Sequence, residues 1–292
     1  MENYQTILSS RAFFINSMRR LIQVTLMLGA VLSGSLAGAQ TPAPDVEAPK
    51  TELGLGAVVL HFPAYRGSDQ TSVLVLPVPY IEYRGDFFKA DRQGLRGDIF
   101  NSDRVELSIS LSGSPPTQSD DIILRRGMPD LKPSVELGPQ LNILLTPIED
   151  KAMTLKLRLP IRQGITLESK PRDAGITFSP NLNLDIANPW GISGGNLGFI
   201  VGPIFTSQKQ NDLFYTVTPA YATSTRPAYQ SRSGYAGAQF LVSLSRKMGN
   251  VWMGSYIRYD NLRGAVFADS PLVATRNFVT AGFAVSYIFA KF

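Results

Sequence analysis

The chain has no cysteine in its 292 residues and a single histidine, His61. The first absence excludes disulfides, thiolate metal sites, iron–sulfur clusters and cysteine nucleophiles. The second excludes any site built on two or three imidazoles, and a Ser-His-Asp triad would have to use His61. Charge is sparse as well, at 17% of residues, against about a quarter in ordinary soluble domains. Beyond the first forty residues no run of about 18 apolar residues occurs, so no transmembrane helix is expected there.

What is present begins with an export segment. Arg19-Arg20 precede an apolar run from Leu21 to Leu32, and Ala37-Gly38-Ala39 supplies small residues before Gln40. A positive start, a short apolar core and a small-residue cleavage site define a signal peptide, residues 1–39. Met18 would give a more compact signal than Met1. Removing residues 1–39 takes away three arginines and one glutamate, leaving +3 of the formal +5 charge. That is too little to argue for nucleic acid. Residues 40–51, rich in Pro and Ala, read as a flexible periplasmic lead-in.

The rest, 52–292, is dominated by a period of two. Leu155, Leu157, Leu159 and Ile161 alternate with Thr154, Lys156, Arg158 and Arg162. Val105, Leu107, Ile109 and Leu111 alternate with Arg104, Glu106, Ser108 and Ser110. Around Glu136 and Asp185 the same pattern returns. Successive side chains on a strand point to opposite faces, so these are strands with one oily and one polar side. A soluble sandwich buries the oily side, whereas an outer-membrane barrel turns it to lipid. Export, strand lengths of about 10 to 14 residues and aromatics near strand ends favour the barrel. So does the final strand, with Phe283, Val285, Tyr287 and Phe289, which resembles the signal read by the barrel-assembly machinery.

Strands are expected near 52–62, 72–84, 86–91, 94–100, 104–113, 134–146, 152–165, 174–186, 196–207, 234–246, 250–262 and 276–289. The fold class is therefore all-β, an antiparallel transmembrane barrel of about twelve strands, with ten as the runner-up. Single-chain barrels use even numbers, with short periplasmic turns and longer outer loops. Parity makes the segment around Arg92-Gln93 a short hairpin and sends Phe214 to Pro219 to an outer loop. The polar faces place Arg104, Glu106, Glu136, Lys156, Arg158, Arg162 and Asp185 as candidate lumen-lining charges. They would form either a selective pore or an interior filled by paired charges. No catalytic, cofactor-binding or metal-ligating residue is expected, and no cofactor. Asp120-Asp121 lack the spaced oxygens of a calcium loop. Arg125-Arg126 could meet lipopolysaccharide phosphates.

Several motifs in order resemble the MipA/OmpV family of Gram-negative outer-membrane proteins. They are Tyr65-Arg66-Gly67-Ser68-Asp69, Leu76-Pro77-Val78-Pro79-Tyr80 with Tyr83-Arg84 and Phe88, then Gly202-Pro203, Asp212, Tyr215 and Val217-Thr218-Pro219. Asp269-Ser270-Pro271 and Val285-Ser286-Tyr287 with Phe289 complete the series. The departures are the Ala290-Lys291-Phe292 tail and a first strand poorer in glycine. The resemblance implies residence in the outer membrane, among lipid and lipopolysaccharide. It also implies a scaffold role without catalysis, holding a lytic transglycosylase and a peptidoglycan synthase. The alternative is a narrow solute channel involved in osmotic or antibiotic responses. No catalytic residues carry over from it.

Overall fold

The computed structural model describes residues 51–84, 88–91, 94–97, 100–102, 104–146 and 152–292. The expected signal peptide, and the lead-in up to Thr51, lie outside the described residues. So do Arg92-Gln93 and the expected inner turn at 147–151.

The strands are β1 (Thr51–Pro63), β2 (Thr71–Arg84), β3 (Phe88–Asp91), β4 (Gly94–Gly97), β5 (Phe100–Asn101), β6 (Val105–Ser114) and β7 (Ser134–Leu144). There follow β8 (Met153–Thr166), β9 (Asp173–Phe178), β10 (Asn181–Ala187), β11 (Gly195–Thr206), β12 (Gly234–Met248), β13 (Val251–Asn261) and β14 (Asn277–Lys291). They form one antiparallel sheet in which β1 pairs with both β2 and β14. Its two ends, β4 and β5, follow each other on the chain, and β4 also runs beside β6. The sheet thus returns on itself. β9 and β10 both lie between β8 and β11. They are one stave interrupted at Ser179-Pro180, where proline has no N–H for a ladder. β4 pairs with β3 and β5 with β6 on successive stretches of the chain, and with these two taken together the fourteen described strands make twelve staves.

The sheet is inside-out relative to a soluble protein. Leu55 is 60% exposed and Val73 64%, and Leu137, Ile161, Val201, Ile257 and Phe283 are exposed with them. Glu52, Ser108, Asn142, Asn183 and Ser286, on the opposite faces, are buried. Lipid replaces water as the solvent of the apolar side, and closure leaves backbone groups few places to go unpaired. No described helix is long and apolar enough to cross a membrane.

One end carries the shorter turns, Ala187 to Gly195 and Met248 to Val251, together with Thr51 and Phe292. Thr51 and Phe292 exchange two backbone hydrogen bonds, at 3.1 and 2.9 Å. The terminal tail is therefore a continuation of β14, which runs to Lys291, and belongs to the seam with β1. Short turns mark this end as periplasmic. The long connections gather at the other end. Among them is α1 (Gln208–Tyr215), capped by Ser207, whose side chain accepts from the Gln210 N–H.

Candidate functional site

Two sets of residues stand out, a network inside the barrel and a lid across its outer end. Inside, the polar faces of β6, β7, β8 and β10 meet. Lys156 lies 3.7 Å from Glu106, both half-buried. The Arg162 guanidinium donates to Glu136 Oε2 at 3.2 Å, to Ser110 Oγ at 3.2 Å and to Ser179 Oγ at 3.0 Å. Four elements are thereby tied by one side chain. The Asn142 amide donates to Ser108 Oγ at 2.9 Å and the Gln140 amide to Asn142 Oδ1 at 2.7 Å. Asp185 accepts from Asn183 and, at 3.4 Å, from Asn196. Arg158 is registered between Asn142 and Asn181. Arg104 is set apart from this group, exposed just before β6.

Sequence reasoning missed a second cluster on the far wall. Asp260 of β13 is 0% exposed and lies between Arg66 at 3.1 Å and Arg258 at 2.7 Å. It was legible in principle, since Arg258 and Asp260 share the face of Trp252 and Tyr256. A third cluster closes toward the periplasm. Lys247 bonds Glu52 and stands 3.9 Å from Glu82, which also accepts from the Tyr80 hydroxyl at 2.7 Å. Burying a lone ion costs several kcal/mol, on the order of the whole stability of a domain, so this mutual pairing is what makes a charged interior tolerable.

The lid has an ordinary hydrophobic core of its own. Tyr215 stacks on Phe267 with centroids 3.7 Å apart and planes 8° apart, and Tyr65 meets Tyr215 edge-on at 6.4 Å. Ile122, Leu131, Ile204, Leu262 and Ala265 pack with them. Full burial of side chains such as Phe267 and Leu262 contributes about 1.5–3 kcal/mol each, enough to hold the loops in one arrangement. The polar atoms of this core are satisfied. Tyr65 Oη donates to the Leu272 carbonyl at 2.6 Å, Tyr215 Oη to the Arg66 carbonyl at 2.9 Å, and Ser270 Oγ to the Tyr215 carbonyl at 2.7 Å. Gly67 adopts φ +100°, a region that favours glycine, and its carbonyl accepts from Ala274 and Thr275. Burial pushes the Tyr65 hydroxyl up to about 12 and raises that of Tyr215 further.

Arg125 is only 3% exposed. It donates to Ser119 Oγ and to the Phe214 and Pro129 carbonyls, and its guanidinium sits 5.8 Å from the Tyr65 ring centroid. It braces the lid and is not free for lipopolysaccharide phosphates. The carboxylate of Asp120 accepts from the Gly127 N–H at 3.0 Å, a loop-shaping role. Lid and network are joined, because Gln210 of α1 donates to Glu136 Oε1 at 3.0 Å. Beneath the lid lies a cavity of about 250 Å³, bordered by Phe62, Ser112, Arg162 and Asp260. His61 stands exposed on the outward face of β1, on the side of Leu55 and Val59, so it cannot serve a site within the barrel. Among the described residues, no group of three or more His, Asp or Glu side chains is arranged to hold a metal ion.

Twelve antiparallel staves, oily outside and charged within, define a transmembrane β-barrel of the outer-membrane class. The motif residues Tyr65 to Asp69, Asp212, Tyr215 and Ser270, scattered in sequence, converge on its lid. Residues 55–289 match the family described as MltA-interacting protein MipA, and the chain belongs to that family. No curated protein matches it. Among solved structures it is similar to an outer membrane channel from Pseudomonas putida F1, with 11% identity, TM-score 0.42, and coverage of 85% of this chain and 100% of that one. It is also similar to outer membrane phospholipase A from Escherichia coli, with 14% identity, TM-score 0.33, and coverage of 85% and 94%.

Proposed function

We propose that the protein is a non-catalytic scaffold in the outer membrane that holds peptidoglycan-remodelling enzymes at its periplasmic rim. The observation that carries this reading is the closed outer mouth. A lid with its own buried core, tied to Glu136 through Gln210, leaves the rims of the barrel as its working surfaces. The family name points to a lytic transglycosylase as one partner, and a peptidoglycan synthase would be the second. Paired interior charges favour a filled interior over an open pore. The one histidine, outward-facing, offers no base to an interior nucleophile.

The rim has a suitable contact. Trp190, at the tip of the turn from Asn188 to Gly195, is 75% exposed with φ 55°. A non-glycine residue in this region costs about 1–2 kcal/mol. Asn188 Oδ1 holds the turn by accepting from the Gly194 N–H at 2.9 Å. An aromatic presented at such cost, beside Ile192, suits a protein contact, where Trp is over-represented among energetic anchors.

Photo-cross-linking from position 192, beside Trp190 on the same exposed turn, in intact cells, followed by identification of the trapped proteins, tests the reading. Recovery of cell-wall enzymes, lost in Trp190→Ala, supports it. Large, stable, solute-dependent conductance of the purified barrel with no enzyme recovered would replace it with the narrow-channel reading, for which the cavity under the lid is the supporting feature.

A further inference from the structure

We propose that the cavity beneath the lid binds a small organic monoanion, a carboxylate carried on a benzene-sized apolar body. The inference is independent of the scaffold reading. It starts from the charges that border the cavity. Three guanidinium groups do so, from Arg66, Arg162 and Arg258, and two carboxylates, from Glu136 and Asp260. Arg162 and Glu136 neutralise one another across the ladder between β7 and β8. Asp260 alone pairs with both Arg66 and Arg258. Among the described residues, one positive charge at the cavity is therefore left without an opposite partner. Charges drawn back from bulk water are tolerated when a counter-charge meets them.

The hydrogen bonds show where that counter-charge can dock. A guanidinium carries five N–H donors in a planar fork. Arg66 donates through Nε and Nη2 to Asp260 Oδ1, at 3.3 and 3.1 Å. Arg258 donates through Nη2 to the same oxygen at 2.7 Å and sets Nε 2.7 Å from Oδ2. Both carboxylate oxygens are thus taken. The Nη1 group of each arginine has no hydrogen-bond partner among the described residues. The two arginine side chains are 26% and 30% exposed, whereas Asp260 is fully buried. Two forks on one carboxylate, both bordering one cavity, have donors to spare for the oxygens of a second carboxylate.

The rest of the lining specifies the body. Directly opposed residues on neighbouring strands share a face of the sheet. β13 and β14 are registered with Asp260 opposite Phe278 and Arg258 opposite Thr280. The charged group and an aromatic ring therefore stand side by side on the inner wall. Phe62 of β1 and Phe214 of α1 bring two further half-buried rings to the cavity. Size narrows the class. The volume of about 250 Å³ exceeds the roughly 150 Å³ of a cavity that takes benzene and falls short of the roughly 300–1,000 Å³ of drug-sized pockets. A single ring bearing one carboxylate fits between these limits. An inorganic anion would leave the aromatic lining uncovered, and a two-chain lipid is far too large.

Fluorine NMR tests the proposal on the full-length mature barrel in dodecyl maltoside micelles, with 4-fluorobenzoate as the probe and protein-free micelles as the blank. The probe resonance should broaden saturably in the presence of the barrel, and benzoate should reverse the broadening. Benzyl alcohol keeps the ring without the charge, and acetate keeps the charge without the ring. Each should need a concentration about tenfold or more above that of benzoate to compete. Arg258→Gln removes the surplus charge and leaves Arg66 on Asp260, and it should weaken probe binding about tenfold. Thr280→Trp keeps every charge and fills the cavity, and it should abolish the broadening. Heat-modifiable mobility on gels reports folding of both variants, and Arg66→Gln carries the charge test if Arg258→Gln does not fold. Broadening no greater than in protein-free micelles, or undiminished in the charge variant and in Thr280→Trp, would overturn the proposal. Competition by acetate or chloride as strong as that by benzoate would overturn the apolar body, and equal competition by benzyl alcohol would overturn the role of the arginines.

Discussion

Single side chains divide cleanly by the face they occupy. Leu157 is registered between Ile143 and Leu182, both on the oily side, whereas its neighbour Lys156 reaches Glu106. Leu157→Arg should cost about 2–4 kcal/mol, as an arginine does toward the bilayer midplane. Lys156→Leu removes one partner of a partly buried pair on the polar face, where Glu106 can neutralise by taking a proton, and should cost less than an arginine set among lipid. Folding yields into vesicles, scored by heat-modifiable mobility, should rank the two variants accordingly. Tyr65 and Tyr215 give the lid a pH dependence of defined sign. Their hydroxyls are raised by burial, Tyr65 to about 12, above the ordinary value near 10. Groups raised in this way prefer the protonated folded state. Their contribution is complete below about pH 10 and is lost as pH rises through about 12. Tyrosinate absorbance should therefore show late, cooperative ionisation, coincident with protease sensitivity in the lid loops.

At the level of elements, α1 is the piece that decides whether the lid stays shut. Ser207 caps it and also accepts from the Ile176 N–H at 2.8 Å, so one hydroxyl fixes the helix to β9. Ser207→Ala should cost about 1 kcal/mol, the usual loss for an N-cap. Gly175, at φ +89°, faces the same spot, and a Cβ there would lie 2.4 Å from Ser207 Oγ and 2.5 Å from the Gln210 nitrogen. Gly175→Ala should displace α1 more than loss of the cap does. Single-channel recording should then show larger conductance in Gly175→Ala than in Ser207→Ala, and both above the unaltered barrel. Sequence pattern had marked the strands well, because alternation over ten residues is unambiguous once one side must face lipid. It placed Phe214 to Pro219 in an outer loop but gave no sign of α1. That helix is short and polar, and burial of Tyr215 against Phe267 comes from residues fifty positions away. The same reason hid Asp260, whose partner Arg66 belongs to the first outer loop.

The whole molecule should migrate anomalously before boiling and give a strand-dominated circular dichroism spectrum in detergent, as a closed barrel does. A helix-dominated spectrum would contradict the twelve staves. Architecture was legible from the chain because period, parity and turn length all pointed one way. The pairing of interior charges was legible only as a set. Which guanidinium meets which carboxylate depends on register, and alternation does not encode register between distant strands. The lid has a consequence of another kind. Arg226 donates to the Leu124 and Arg126 carbonyls about a hundred positions away, and Arg125 joins the same loop to α1. To an antibody or a phage the outer end is one conformational epitope, with neighbours drawn from three separate stretches of chain. Immune sera raised against whole cells should recognise the unboiled barrel and lose most of their binding once it is boiled, and synthetic peptides copied from any one loop should fail to compete.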